Sequence, residues 1–260
     1  MNRKTTREIK IGNVKIGGNN LISIQSMTNT LTSDISPTLK QIDALKNAGA
    51  NIVRLGIPNK KCAEAIGEIS KNSNIPLVAD IHFDHKLALI CLDNGIDALR
   101  LNPGNMRKKE HVKEVLLAAK ECKVSIRIGI NGGSLPKDLL EKYGSPTPEA
   151  MVEAAEREIE FFKEYDFSDY KVSLKSSNVI NTIKACEIFS EKNDCPLHIG
   201  ITEAGIKTTG YIRSAFGIGY LLHKGIGDTI RVSLTTDPVE EILAGQIILK
   251  TVGLKQYGFW

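Results

Sequence analysis

Short runs of β-branched and aliphatic residues alternate along this chain with longer segments whose apolar positions recur every three or four residues. The first pattern reads as buried strand and the second as amphipathic helix. Strands are predicted at 21–25, 51–55, 77–80, 98–101, 125–129, 170–174, 197–199 and 229–232. Helical patterns follow them around 38–47, 61–70, 86–93, 109–122, 148–165, 179–191, 211–223 and 238–251. Ser36-Pro37, Thr147-Pro148 and Asp237-Pro238 each set a capping side chain before a proline suited to the first helical turn. Gly49, Gly95 and Gly225 fall where helices stop.

Eight such alternations close most simply into an α/β fold, an eight-stranded parallel β/α barrel of the TIM type. A doubly wound open sheet uses fewer strands and a glycine-rich first turn, which is absent. Ahead of the first unit, Ile9-x-Ile11 and Val14-x-Ile16 flank Asn13 and predict a short N-terminal hairpin that caps the barrel floor. The 260 residues match one barrel, so residues 1–260 are expected to form a single domain.

Composition narrows the function classes. Hydrophobic residues make up 42% and charged residues 25%, enough for a sizeable core. No stretch of about 18 apolar residues occurs, and no membrane span is expected. The formal charge of +4 comes from 34 basic and 30 acidic residues without a basic run, and aromatics are only 5%, which argues against nucleic acid. The five cysteines stand apart with no C-x-x-C pair, and with the polar start MNRKTTREIK they point to reduced thiols in a cytoplasmic protein.

In a β/α barrel the carboxyl ends of the strands carry the active site. Here those ends hold Gln25 and Ser26, Arg54, Asp80 and His82, Arg100 and Asn102, Arg127 and Asn131, Lys175, Thr202 and Glu203, and Arg231 and Ser233. An arginine inside an apolar strand is costly unless something negative lies beside it. Asp80, Asp97, Glu203 and Asp228 are available as partners, but they are too few for four arginines and Lys175 together. An anionic ligand is therefore expected, and phosphate suits the paired donors of guanidinium. Ser233 to Pro238 add hydroxyls and a helix amino terminus after strand eight, where barrels often bind phosphate. Around Ser176 to Asn178 a helix cap and a ligand contact remain equally open. Glu203 reads either as a proton donor or as an ion-pair partner, Asp80-Ile81-His82 is not read as a metal site, and His198 has no assigned role.

The stretches IQSMTNT, VRLGIP, VADIHFD, LRLNPGN, IRIGINGGSL, KVSLKSSN, HIGITEAG and GIGDTIRVSLTTDP, in that order over nearly the whole chain, resemble the 4-hydroxy-3-methylbut-2-enyl diphosphate synthases of the methylerythritol phosphate route to isoprenoids. The resemblance implies an iron–sulfur-dependent oxidoreductase that opens 2-C-methyl-D-erythritol 2,4-cyclodiphosphate with two electrons and loss of water. It implies Arg54, Arg100, Asn102, Arg127, Asn131, Lys175, Arg231 and Ser233 as substrate contacts. Asp80, Thr202 and Glu203 match the polar positions beside the reacting carbons, with Glu203 the acid. It also implies a homodimer and reduced ferredoxin or flavodoxin as electron donor.

That family continues into a domain whose three cysteines and one glutamate hold a 4Fe-4S cluster, and no cysteine here corresponds to those ligands. Residues 1–260 are thus expected to supply the substrate-binding barrel alone, to hold no cluster and to be inactive by themselves. Two other readings are a pterin-binding transferase barrel, in which Asp80 and Asn102 would read the ring, and a non-catalytic sensor of phosphorylated isoprenoid precursors.

Overall fold

The structure, a computed structural model, describes residues 3–102, 106, 108–202, 205 and 207–254. The chain opens with the predicted hairpin, β1 (Ile9–Ile11) antiparallel to β2 (Val14–Ile16). Eight parallel strands follow: β3 (Ser23–Met27), β4 (Ile52–Gly56), β5 (Leu77–Ile81), β6 (Ala98–Leu101), β7 (Ser125–Asn131), β8 (Tyr170–Lys175), β9 (His198–Ile199) and β10 (Thr229–Ile230). They pair in the order β8-β7-β6-β5-β4-β3-β10-β9, and a bridge from Val172 to Leu197 brings the two ends together. The α/β barrel expected from the sequence is what forms.

Around it lie α1 (Ile35–Asn47), α2 (Lys60–Asn72), α3 (His85–Asp93), α4 (Lys109–Cys122), α5 (Lys137–Tyr143), α6 (Pro148–Glu164), α7 (Val179–Lys192), α8 (Lys207–His223) and α9 (Pro238–Thr251). Of these, α5 is an addition to the eight helices expected. It is seven residues long, between Pro136 and the left-handed Gly144, too short to establish a helical period in the sequence.

Alternation along the strands separates two environments. Val53, Leu55, Leu77, Ala79, Ile81, Leu99, Leu101, Ile126, Ile128, Val172 and Leu174 face the helices and belong to the main hydrophobic core. The positions between them face the bore. At its floor Ile52, Val78 and Ala98 pack with Ile9, Ile11 and Ile16 of the hairpin, which plugs that end as expected. Above the floor the bore is polar.

Helix boundaries follow local chemistry. Thr147 Oγ1 accepts from Ala150 N–H at 3.2 Å and Asp237 Oδ1 from Val239 N–H at 2.9 Å, so both predicted caps form. Ser36 is not a cap: α1 begins two residues earlier behind Asp34, and Pro37 lies inside the first turn, where its missing N–H costs no bond. Gly49, Gly95 and Gly225 take positive φ at helix ends, with values of 102°, 79° and 79°.

Candidate functional site

Strand register lines up one row of bore-facing charged residues on four adjacent strands. Asp80 stands beside Arg100, Arg100 beside Arg127, and Arg127 beside Lys171, each pair being Cα partners on adjacent strands. Asp80 joins two of them: Arg100 Nη1 donates to its Oδ1 at 3.0 Å, and Arg54 Nε lies 3.4 Å from its Oδ2. His82 Nε2, on the half-exposed rim, is also 3.4 Å from Asp80 Oδ2. Arg54 Nη2 donates to Met27 Sδ at 3.0 Å. Arg100 needs the space left by Gly129, because a Cβ there would lie 2.8 Å from Arg100 Nε. Gly200 does the same for Lys175, whose Nζ would be 2.9 Å from an added Cβ.

Charge in this layer is not balanced. Arg54, Arg100, Arg127, Lys175 and Arg231 face only Asp80 and Glu241 among the described residues. Arg127 is 3% exposed, and its Nε and Nη1 have no hydrogen-bond partner among the described residues. Burial pushes the Lys175 ammonium well below its ordinary pKa, and the nearby Arg127 and Arg231 push it further. Burial and the charges of Arg54 and Arg100 do the same to Arg127. Arg54 is lowered by burial to about 10, with Asp80 opposing the shift. Burial alone would raise the Asp80 carboxyl, but Arg54, His82 and Arg100 outweigh it and hold the group well below the usual carboxylate range. An anion entering from the open end relieves the repulsion among these cations.

The structure brings most of the predicted contacts to this end. Asn102 follows β6 and its Nδ2 donates to Ser134 Oγ at 3.0 Å, Asn131 ends β7, and Thr202 and Ser233 are half-buried just beyond β9 and β10. A cleft of about 460 Å³ opens on the flank of the mouth, between Thr28, Thr32, Ile57, Asp80, His82 and Leu87. Glu203 lies outside the described residues. At the start of α7 a cap forms: Asn178 Oδ1 accepts from Asn181 N–H at 3.1 Å, and Ser176 Oγ accepts from Asn178 N–H at 3.1 Å.

Two expected partners of the arginines are elsewhere. Asp97 accepts from Leu77 N–H at 2.8 Å, and Asp228 pairs with Arg3 Nη2 at 2.7 Å and accepts from Leu197 N–H at 2.9 Å. Both acids precede their strands, so both lie at the amino end, away from the mouth. The acid that sequence reasoning missed is Glu241, in the first turn of α9. It is 3.5 Å from Arg231 Nε and accepts from Ser26 Oγ at 3.1 Å and Leu234 N–H at 3.0 Å.

The cysteines do not fit an iron–sulfur cluster. Cys62, Cys91, Cys186 and Cys195 are buried, Cys122 is exposed, and no group of three metal-ligating side chains occurs among the described residues. Burial pushes the thiols of Cys91, Cys186 and Cys195 up to about 12, the opposite of what a thiolate ligand needs.

With this geometry in hand, comparison with known proteins is informative. A family model described as the GcpE TIM-barrel domain matches residues 6–246. The chain belongs to the GcpE family. A 4-hydroxy-3-methylbut-2-en-1-yl diphosphate synthase (flavodoxin) from Caldanaerobacter subterraneus subsp. tengcongensis is 55% identical over 256 residues, covering 98% of this chain and 72% of that protein. The protein of the same name from Thermodesulfovibrio yellowstonii is 54% identical, covering 98% and 73%. Among solved structures, the Yersinia pestis dihydropteroate synthase superposes on the GcpE barrel with a TM-score of 0.66 at 14% identity, covering 95% of this chain and 99% of that one. At that identity the likeness concerns the barrel fold alone. It lends no weight to a pterin ligand.

Proposed function

We propose that residues 1–260 are the substrate-binding barrel of a 4-hydroxy-3-methylbut-2-en-1-yl diphosphate synthase and hold 2-C-methyl-D-erythritol 2,4-cyclodiphosphate at the carboxyl-end mouth. The observation that carries this reading is the surplus of buried cations over carboxylates there, in a chain 55% identical to a synthase of that name. Guanidinium planes take phosphate oxygens through paired N–H donors, and the low-dielectric bore strengthens each contact.

In this reading Arg54, Arg100, Arg127, Lys175 and Arg231 hold the phosphates. Asn102, Asn131, Thr202 and Ser233 meet hydroxyl and phosphate oxygens with neutral groups. Asp80 keeps Arg54 and Arg100 turned into the mouth and faces the reacting part of the ligand. Glu203 is the proposed proton donor to the departing hydroxyl. Because the cysteines do not fit a cluster, residues 1–260 are assigned binding and orientation, and no electron-transfer step is assigned to them. The setting proposed is a cytoplasmic homodimer that receives electrons from flavodoxin.

The test is calorimetric titration with the cyclodiphosphate, using inorganic diphosphate as comparison, at low and moderate salt. Saturable binding that prefers the cyclodiphosphate and weakens with salt supports the assignment. Equal affinity for both anions removes the substrate from this site.

A further inference from the structure

Glu241 is 4% exposed, and its carboxylate sits where three elements beside the mouth meet. It belongs to the first turn of α9, a helix that packs along β3 and β10 with Gly245 against Ile24 and Ile230. From that turn Oε2 accepts from Ser26 Oγ on β3 at 3.1 Å, and Oε1 accepts from Leu234 N–H at 3.0 Å. Arg231 Nε lies 3.5 Å from Oε2. Residues 231–237 are neither helix nor strand, and they carry Arg231 and Ser233, both assigned to the ligand above. The loop is tied at its start by Arg231 N–H donating to Ile199 O at 3.0 Å and at its end by the Asp237 cap. Glu241 holds its middle.

Two opposite effects on a bound anion follow. A negative charge beside the mouth repels the ligand. The same carboxylate holds the Arg231 guanidinium by its Nε side, and a side chain ordered in advance loses less freedom when it grips a phosphate with its Nη groups. Donor counting favours the second effect. Leu234 N–H and Arg231 only donate, and a carboxylate offers each of them an oxygen. Glutamine in its place offers one oxygen and one NH2 group, so one donor meets another in either orientation: Leu234 N–H in the first, Arg231 Nε in the second. The loop or the arginine must then move.

We propose that Glu241 is a positioning residue for the anion-binding mouth. Its carboxylate fixes Arg231 and the 231–237 loop, and this fixing outweighs the repulsion between its charge and the anion. The role rests on the reading of the mouth as an anion site and does not depend on which organic diphosphate the mouth takes.

The test is calorimetric titration with inorganic diphosphate of four proteins: the unaltered chain, Glu241→Gln, Arg231→Ala and the double variant. Glu241→Gln should weaken binding about tenfold in the unaltered chain and change it by less than about twofold beside Arg231→Ala, as for residues coupled through one ion-pair network. A plain counter-charge gives the opposite sign, with tighter binding once the charge is gone. A role in folding alone shifts the unfolding midpoint and leaves the affinity of the folded protein as it was. Should Glu241→Gln not fold, Ser26→Ala removes one donor without changing the charge, and it should weaken binding about threefold, only with Arg231 present. Unchanged or tighter binding, or an equal loss in both backgrounds, overturns the role of Glu241 and leaves the mouth assignment standing. An unaltered chain that does not bind diphosphate overturns both.

Discussion

Replacing Asp80 by asparagine keeps the shape of the side chain and removes the charge that joins Arg54 and Arg100. The carboxylate is 2% exposed and lies 3.0 Å from Arg100 Nη1 and 3.4 Å from Arg54 Nε, so the substitution leaves two guanidinium groups facing each other in a nearly dry layer. Breaking a buried pair by removing one partner costs roughly 3–5 kcal/mol. The open mouth admits some water, so a loss near about 3 kcal/mol is expected for Asp80→Asn at pH 7. Urea unfolding of both proteins measures it. Adding inorganic diphosphate should stabilise the variant more than the parent, because the variant has more positive charge to neutralise. The pH dependence has a definite sign. The folded Asp80 carboxyl is held below its unfolded value, so its stabilisation is fully present above the ordinary carboxylate range and is lost as pH falls from about 4 towards the folded value. The variant should lack that segment of acid destabilisation. Equal stability at pH 7, or equal gains from diphosphate, would refute the view that Asp80 restrains an over-cationic mouth.

Three further outcomes are expected. Arg231→Ala should weaken cyclodiphosphate binding by about 1.5–3 kcal/mol, as for a charge-assisted contact, and unchanged affinity in calorimetry removes Arg231 from the site. Gly129→Ala places a Cβ 2.8 Å from Arg100 Nε; the arginine must move, and affinity should fall about tenfold, or about 1.4 kcal/mol, with a titration as the check. Burial raises the Glu158 carboxyl to about 7, against a smaller opposing pull from Lys109. This glutamate therefore costs stability as pH rises from its unfolded value towards 7, and Glu158→Gln should gain about 1–2 kcal/mol at pH 8 and nothing at pH 4, as read by denaturant midpoints.

Much of the barrel is legible in the sequence because its two faces obey different rules. Helix-facing strand residues such as Val53, Leu99 and Ile128 are aliphatic, and the prolines after Thr147 and Asp237 mark helix starts with their caps. Arginines set in apolar runs betray the bore, since nothing else makes Arg54 or Arg100 tolerable in a strand. What escapes is contact between distant segments. Glu241 reads as an ordinary acid in the first turn of a helix, where it suits the helix dipole, and only folding shows it beside Arg231. Asp97 and Asp228 look like mouth acids until their place before Ala98 and Thr229 is recognised as the amino end of a parallel strand. The link from Lys171 through Thr229 to His198 joins three strands and has no local signature. The first strand begins at Ser23 and not at residue 21, because pairing of Ser23 with Thr229, and not the apolarity of Leu21 and Ile22, sets its start.

Binding of a cyclic diphosphate by the cations of the carboxyl-end mouth can be seen in a crystal. A crystal structure of the chain soaked with 2-C-methyl-D-erythritol 2,4-cyclodiphosphate tests it most directly. Both phosphates are expected within hydrogen-bonding distance of guanidinium or ammonium groups drawn from Arg54, Arg100, Arg127, Lys175 and Arg231, with Asp80 still joining Arg54 and Arg100. Phosphates bound elsewhere on the barrel, or a mouth left without ligand at saturating concentration, would contradict it.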